Sequence, residues 1–260
     1  MQRVFITGAS SGLGAALAQH YARQGARLGL LARRGETLQQ LIATLHHPER
    51  HRAYAVDVCD HAALKNAAAD FIGQAGGIDV VIASAGVSYG TLSEHAEDLD
   101  AFARLMAINV TATVATFAPF IATMQAQGSG RLVGIGSVAG IRGLPGAEAY
   151  SASKAAVISY CESLRLELKP AGVKVVTITP GYIDTPMTRH NAYRMPFLMP
   201  AGKFAERAAR AIADGDSYRV IPWQMGVVAK VLRALPNAVY DMAFANAPHK
   251  ARSTPSGDSQ

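Results

Sequence analysis

The stretch Val4-Phe5-Ile6-Thr7-Gly8-Ala9-Ser10-Ser11-Gly12-Leu13-Gly14 decides the fold. Its apolar start reads as a short buried strand. A helix is predicted over residues 13–24, ended by Gly25. Between the two, glycines stand at positions 8, 12 and 14, in the spacing G-x-x-x-G-x-G rather than the commoner G-x-G-x-x-G. Glycines here let the backbone approach a pyrophosphate closely. The helix N-terminus adds free N–H groups and the positive end of a dipole. A glycine-rich turn alone also fits a plain strand–helix loop. Its placement inside a βαβ unit favours a dinucleotide site.

The alternation continues outward from this turn. Strands are expected over 27–32, 52–58, 79–83, 131–137, 173–179 and 218–221. Helices are expected over 36–45, 62–74, 99–127, 149–169 and 203–214. Strands separated by helices of crossover length imply an α/β fold, with a parallel sheet covered on both faces. No linker or repeat divides the chain. Residues 1–222 therefore read as one catalytic domain, and residues 223–260 as a C-terminal helical extension with a polar tail, not a separate domain. The tail from residue 250 is expected to fray.

Composition narrows the class. The chain has 260 residues, half of them hydrophobic, with a net charge of +6. The mildly basic balance fits an ordinary protein surface or an anionic ligand. No Lys/Arg run with interleaved aromatics stands out, so nucleic acid is not an expected partner. Cys59 and Cys161 sit in apolar or helical context and read as reduced cysteines, which favours the cytoplasm. No secretory signal pattern precedes the first strand. Residues 105–124 carry no charge and are long enough to span a bilayer. With Asn109, four threonines and Pro119 inside it, the segment reads instead as a helix buried against the sheet, and against a second subunit.

The chemistry centres on Tyr150-Ser151-Ala152-Ser153-Lys154. A spacing of four puts Tyr150 and Lys154 on one helix face. An ammonium beside a phenol favours the phenolate and lowers the tyrosine pKa, as general acid–base catalysis near neutral pH needs. Such pairs arise by chance on many helices. Asn109 and Ser137 upstream, together with the glycine turn, give this one weight. Singly, Ser137 also fits a strand-end cap, and Asn109 a buried amide satisfied by backbone.

Taken together, these residues resemble the classical short-chain dehydrogenase/reductase family, from about residue 3 to residue 221. The resemblance implies a Rossmann-type doubly wound parallel sheet. It implies a cofactor site at Gly8, Ser10, Ser11, Gly12, Leu13 and Gly14, with Asp57 and Val58 at the adenine. Ala85 and Gly86 would follow the fourth strand, and Pro180, Gly181, Ile183 and Thr185 would close over the nicotinamide. It further implies catalysis by Asn109, Ser137, Tyr150 and Lys154, the cofactor also meeting Asn109, Tyr150 and Lys154. Tyr150 would exchange a proton with the substrate oxygen and Ser137 would hold that oxygen. Lys154 would hold the ribose and keep the Tyr150 pKa low, and Asn109 would bind a relay water. No metal is implied. One departure is Ala83-Ser84-Ala85-Gly86, where the family usually has Asn-Asn-Ala-Gly. A serine hydroxyl reaches less far than the amide that braces neighbouring strands.

Cofactor preference follows from the second strand, which runs into Arg33-Arg34 with no carboxylate before Glu36. A guanidinium suits a 2′-phosphate, where a carboxylate would bind a ribose hydroxyl. NADP(H) is therefore expected over NAD(H). The substrate is expected to be a small, apolar carbonyl or alcohol compound. Met187, Tyr193, Met195, Phe197, Leu198 and Met199 suggest an apolar, adaptable lid. Arg189, His190 and Arg194 could meet an acidic group, or be solvated loop charges. A non-catalytic NADP(H) sensor or scaffold is the alternative, and an epimerase with the same Tyr–Lys pair a weaker one. A homodimer or homotetramer is expected, paired through the helices at 99–127 and 149–169. Residues 223–247 read as one helix kinked near Pro236, its apolar arc wider than one surface needs. Packing on the protein is favoured for it over peripheral membrane contact through Trp223, Lys230, Arg233 and Tyr240.

Overall fold

The apolar run at the N-terminus becomes β1 (Arg3–Thr7), buried except at Arg3. In a computed structural model, which describes residues 1–189, 191, 194–245, 247, 250 and 252, strands and helices then alternate. They are α1 (Gly12–Arg23), β2 (Arg27–Ala32), α2 (Gly35–Thr44), β3 (Arg52–Ala55), α3 (His61–Ala75) and β4 (Val80–Ala83). A long helix follows as α4 (Asp98–Met106) and α5 (Ala112–Gln127), joined by a π-helical turn at Ala107–Thr111. Next come β5 (Gly130–Ile135), α6 (Glu148–Leu168) and β6 (Val173–Pro180). A small two-stranded pair, β7 (Ile183–Asp184) and β8 (Met199–Pro200), brackets α7 (Pro186–Arg189). The chain ends in α8 (Ala201–Asp214), β9 (Tyr218–Ile221), α9 (Trp223–Ala234) and α10 (Asn237–Phe244).

The main sheet has seven parallel strands in the order β3-β2-β1-β4-β5-β6-β9. This is the expected Rossmann-type doubly wound sheet. Strand order reverses between β1 and β4, and ligands of such sheets bind outside the carboxyl ends at that switch point. The glycine turn after β1 and the loop after β4 both lie there. The two sheet faces carry separate apolar clusters. One gathers Val4, Ile6, Leu28 and Leu30 with Leu17 of α1 and Phe204 of α8. The other gathers Phe5, Leu31, Val81 and Leu132 with Phe71, Phe117 and Phe120. Phe5 sits 5.6 Å from Phe71 and 5.0 Å from Phe120, ring centre to ring centre. Burying one such ring stabilises the fold by about 1.5–3 kcal/mol. Arg3 pins the start of the sheet through a bidentate pair with Asp79, at 2.9 and 2.6 Å.

The uncharged segment at 105–124 is a core helix in this arrangement. Asp98–Gln127 is long and apolar enough to cross a bilayer, but Leu105, Ala112, Phe117, Phe120 and Met124 face inward and are buried. Cys59 is exposed and Cys161 buried, and both are free thiols.

Several boundaries differ from the sequence reading. β3 stops at Ala55, because Asp57 turns the chain by accepting from the Cys59 N–H at 2.9 Å. β5 stops at Ile135, which leaves Ser137 in a loop. The C-terminal extension is two helices, not one kinked helix, broken at Leu235-Pro236. Pro236 supplies no N–H to continue α9. Arg142 fixes this corner: its guanidinium donates to the carbonyls of Leu232 at 2.6 Å and Leu235 at 2.8 Å, and stacks 3.9 Å over the Tyr240 ring. A cation at a helix C-terminus satisfies carbonyls left without intrahelical partners. Trp223, Val227 and Val231, four apart, remain an exposed stripe on α9. The expected fraying of the tail does not hold at Arg252. Its guanidinium bridges Asp98 at 2.9 and 3.0 Å and Glu97 at 3.1 Å. His190, Tyr193, Asn246 and residues 253–260 lie outside the described residues.

Candidate active site

A cavity of about 320 Å³ opens at the switch point. Its walls include every expected cofactor-site residue except Asn109: Gly8, Ser10, Ser11, Gly12, Leu13, Gly14, Arg33, Arg34, Asp57, Val58, Ala85, Gly86, Tyr150, Lys154, Pro180, Gly181, Ile183 and Thr185. Ser137 lines it as well. Ser84, noted for its departure from the family pattern, and Met187, expected in the lid, also line it; Ala32, Val56, Val87, Ile108, Ile135, Gly136, Pro186 and Thr188 complete the wall and were not singled out from sequence.

The glycine cradle fits a pyrophosphate. Gly8 has φ +67°, and a Cβ there would lie 2.7 Å from the Ala85 Cα. A Cβ on Gly14 would press into the Gly8 carbonyl oxygen and lie 2.8 Å from its carbon. The backbone is therefore packed as closely as glycine allows. Ser11 precedes α1 without a side-chain capping bond, so the first N–H groups of the helix remain available to an anion. Arg33 and Arg34 are exposed at the rim, Arg34 donating to Ser10 Oγ at 3.2 Å. Beside Ser84, where the family usually has asparagine, the Thr7 hydroxyl accepts from Ala85 N–H at 3.4 Å.

The reactive end gathers three side chains. Ser137 Oγ accepts from the Ala139 N–H at 3.2 Å, capping a short turn, and its hydroxyl lies near enough to Tyr150 to lower the phenol's pKa. It is thus both the cap and a site residue. Ser88 acts on the phenol in the same direction. Burial pushes the Tyr150 phenol above its ordinary value, and the neighbouring Ser137 and Ser88 hydroxyls pull it back part of the way. Lys154 is buried and donates to the Ile135 carbonyl at 2.9 Å, its ammonium 5.8 Å from the Tyr150 ring centre. Burial lowers its pKa to about 8. The expected lowering of the Tyr150 pKa by Lys154 is not present in this arrangement: the ammonium is turned to a carbonyl, and desolvation of the phenol dominates.

Asn109 corrects a second expectation. It is buried behind the cavity, in the π-helical turn, and does not line the wall. Its Oδ1 accepts from Val87 N–H at 2.9 Å, and its Nδ2 donates to Val87 O at 3.1 Å and Ser153 Oγ at 3.0 Å. Both amide hydrogens are committed to protein, so the side chain braces the loop after β4 against α6 rather than presenting a donor to a relay water. π-Turns often mark such functional positions.

The comparisons show the family. The short chain dehydrogenase family model matches residues 2–195. The chain belongs to the short chain dehydrogenase family. It is similar to an uncharacterised oxidoreductase of Myxococcus xanthus, 37% identical over 92% of this chain and 94% of the relative. It is 36% identical to a 2-dehydro-3-deoxy-L-rhamnonate dehydrogenase (NAD(+)) of Sphingomonas, over 70% of this chain and 72% of that one. A solved short-chain dehydrogenase from Streptomyces avermitilis superposes with a TM-score of 0.79 at 27% identity, covering 88% of this chain and 92% of that one. The family membership supports oxidoreductase chemistry on alcohol or carbonyl groups with a nicotinamide cofactor, as the cradle does. Two neighbours of Tyr150 were not visible in sequence. Ser88 and Lys250 reach it through a loop and a tail whose paths no local pattern sets.

Proposed function

We propose that the protein is an NADP(H)-dependent oxidoreductase acting on the carbonyl or alcohol carbon of a small molecule, its residues 1–222 forming the catalytic unit. The observation carrying this reading is the meeting of Ser137, Tyr150 and Lys154 on the wall of the cavity that holds the glycine cradle. Gly8 to Gly14 and Lys154 would hold the cofactor, which supplies the hydride donor or acceptor when bound. The Tyr150 hydroxyl gives a proton to a carbonyl oxygen, or takes one from an alcohol. Ser137 orients that oxygen and shares the charge that develops on it. Asn109 keeps the loop after β4 and α6 in register. Sensor and scaffold readings leave this complete set without a purpose. Consumption of NADPH with a panel of ketones and aldehydes tests the proposal, and no consumption across the panel would reject it.

NADP(H) preference rests on Arg33 and Arg34 at the rim, with Asp57 the first carboxylate on the wall. Arg33→Asp removes a phosphate partner and installs an acceptor for a ribose hydroxyl. The ratio of kcat/KM for NADPH over NADH is expected to fall roughly 10- to 100-fold, the worth of a charged hydrogen bond. A wild-type enzyme that already prefers NADH would reject the role of Arg33.

We further propose a cytoplasmic homodimer or homotetramer joined through α5 and α6, where Val114 and Leu166 are exposed. Light scattering at micromolar concentration should give at least twice the chain mass, and a monomer would refute it. Arg142 and Tyr240 tie the C-terminal helices to the loop after Ser137, which favours a role at the substrate side over membrane contact.

A further inference from the structure

The tail returns to the catalytic tyrosine. Arg252 is held by Asp98, a carboxylate only 3% exposed that also accepts from Leu92 N–H at 2.9 Å. Two residues earlier, the Lys250 ammonium lies 5.2 Å from the Tyr150 ring centre and donates to Ser88 Oγ. The Ser88 hydroxyl in turn lies near enough to the Tyr150 phenol to lower its pKa. Tail and loop fit closely, since a Cβ on Gly90 would press into the Lys250 carbonyl oxygen.

Among the described residues no carboxylate pairs with Lys250. Glu148, on α6 beside Tyr150, bonds Ser93 at 2.9 Å, and Asp98 and Glu97 are engaged by Arg252. Buried charges are ordinarily paired, because desolvation without a counter-ion is costly. Burial accordingly lowers the Lys250 pKa to about 8. With Lys154 5.8 Å from the same ring centre, two ammonium groups flank one phenol. An anion placed here would gain from both, and Lys250 holds the position nearer Ser88.

We propose that Lys250 is a specificity-determining residue that binds an anionic group on the substrate, close to the reacting carbonyl, so that the preferred substrates are oxo acids or the corresponding hydroxy acids. This rests on the oxidoreductase reading above and narrows its substrate class. Arg252 acts through Lys250, as the anchor that keeps the tail against the loop after β4.

The test compares 2-oxo and 3-oxo acids with their methyl esters, which differ in the charge and not in the reacting carbonyl. The wild type should favour the acid in kcat/KM. Lys250→Gln should lower the acid-to-ester ratio on the order of 10- to 100-fold. Lys250→Arg should restore most of it. Because it is a ratio, general damage to the enzyme cancels. Equal ratios in wild type and Lys250→Gln would overturn the proposal while leaving the oxidoreductase reading in place, as would higher turnover of both series in that variant, the mark of a plug. If neither series is reduced, the oxidoreductase reading is what fails for these carbonyls. Calorimetric titration of NADPH-loaded protein with a 2-oxo acid then decides the anion site. Tighter binding to wild type than to Lys250→Gln supports it, and equal binding overturns it.

Discussion

Tyr150→Phe is expected to lower kcat by about 10²–10⁴-fold, the usual share of general acid catalysis. The hydroxyl faces the side chains of Ser137 and Ser88, and the substitution removes that one oxygen and leaves the ring. NADPH binding should change little, because the cradle, Arg33 and Arg34 lie elsewhere on the wall. Steady-state kinetics with a fluorescence titration of NADPH separates the two quantities. A variant that turns over at the wild-type rate would remove Tyr150 from the chemistry. One that loses both turnover and binding would mean that the phenol props the cavity instead.

Gly14→Ala should act on the other half of the site. The added methyl meets the Gly8 carbonyl, so the turn must open to admit it. Overpacking of this kind costs about 1–3 kcal/mol of stability. It also displaces the N–H groups at the start of α1 from the pyrophosphate. NADPH affinity is therefore expected to fall roughly 10- to 100-fold, the worth of a hydrogen bond to a charged group, with a lower Tm, while the far end of the sheet keeps its structure. Thermal melts with and without NADPH measure both effects. Unchanged affinity would mean that the cofactor does not rest on this turn.

The fold was legible because its signals are local. Buried parallel strands are short apolar runs, and Val4-Phe5-Ile6 and Val80–Ala83 read as such without knowledge of their neighbours. The cavity wall was legible for the same reason: the cradle, Arg33 and Tyr150–Lys154 are short motifs tied to strand ends. Where the reading failed, the deciding contact was distant in sequence. Asn109 was expected to face a water, but Val87 and Ser153 claim its amide. The Tyr150 pKa was expected to follow its neighbour Lys154, but burial, which spacing does not encode, sets its direction. Lys250 and Arg252 looked like a polar tail. Only Asp98 and Ser88, about 150 residues away, give them a place.

The most direct measurement follows the hydride. NADPH carrying deuterium at both C4 positions is incubated with the wild-type enzyme and the carbonyl panel, and the alcohol products are analysed by mass spectrometry. The proposed function predicts one deuterium on the carbinol carbon, at a rate that collapses in Tyr150→Phe. NADPH that binds but delivers no deuterium to any member of the panel would contradict it.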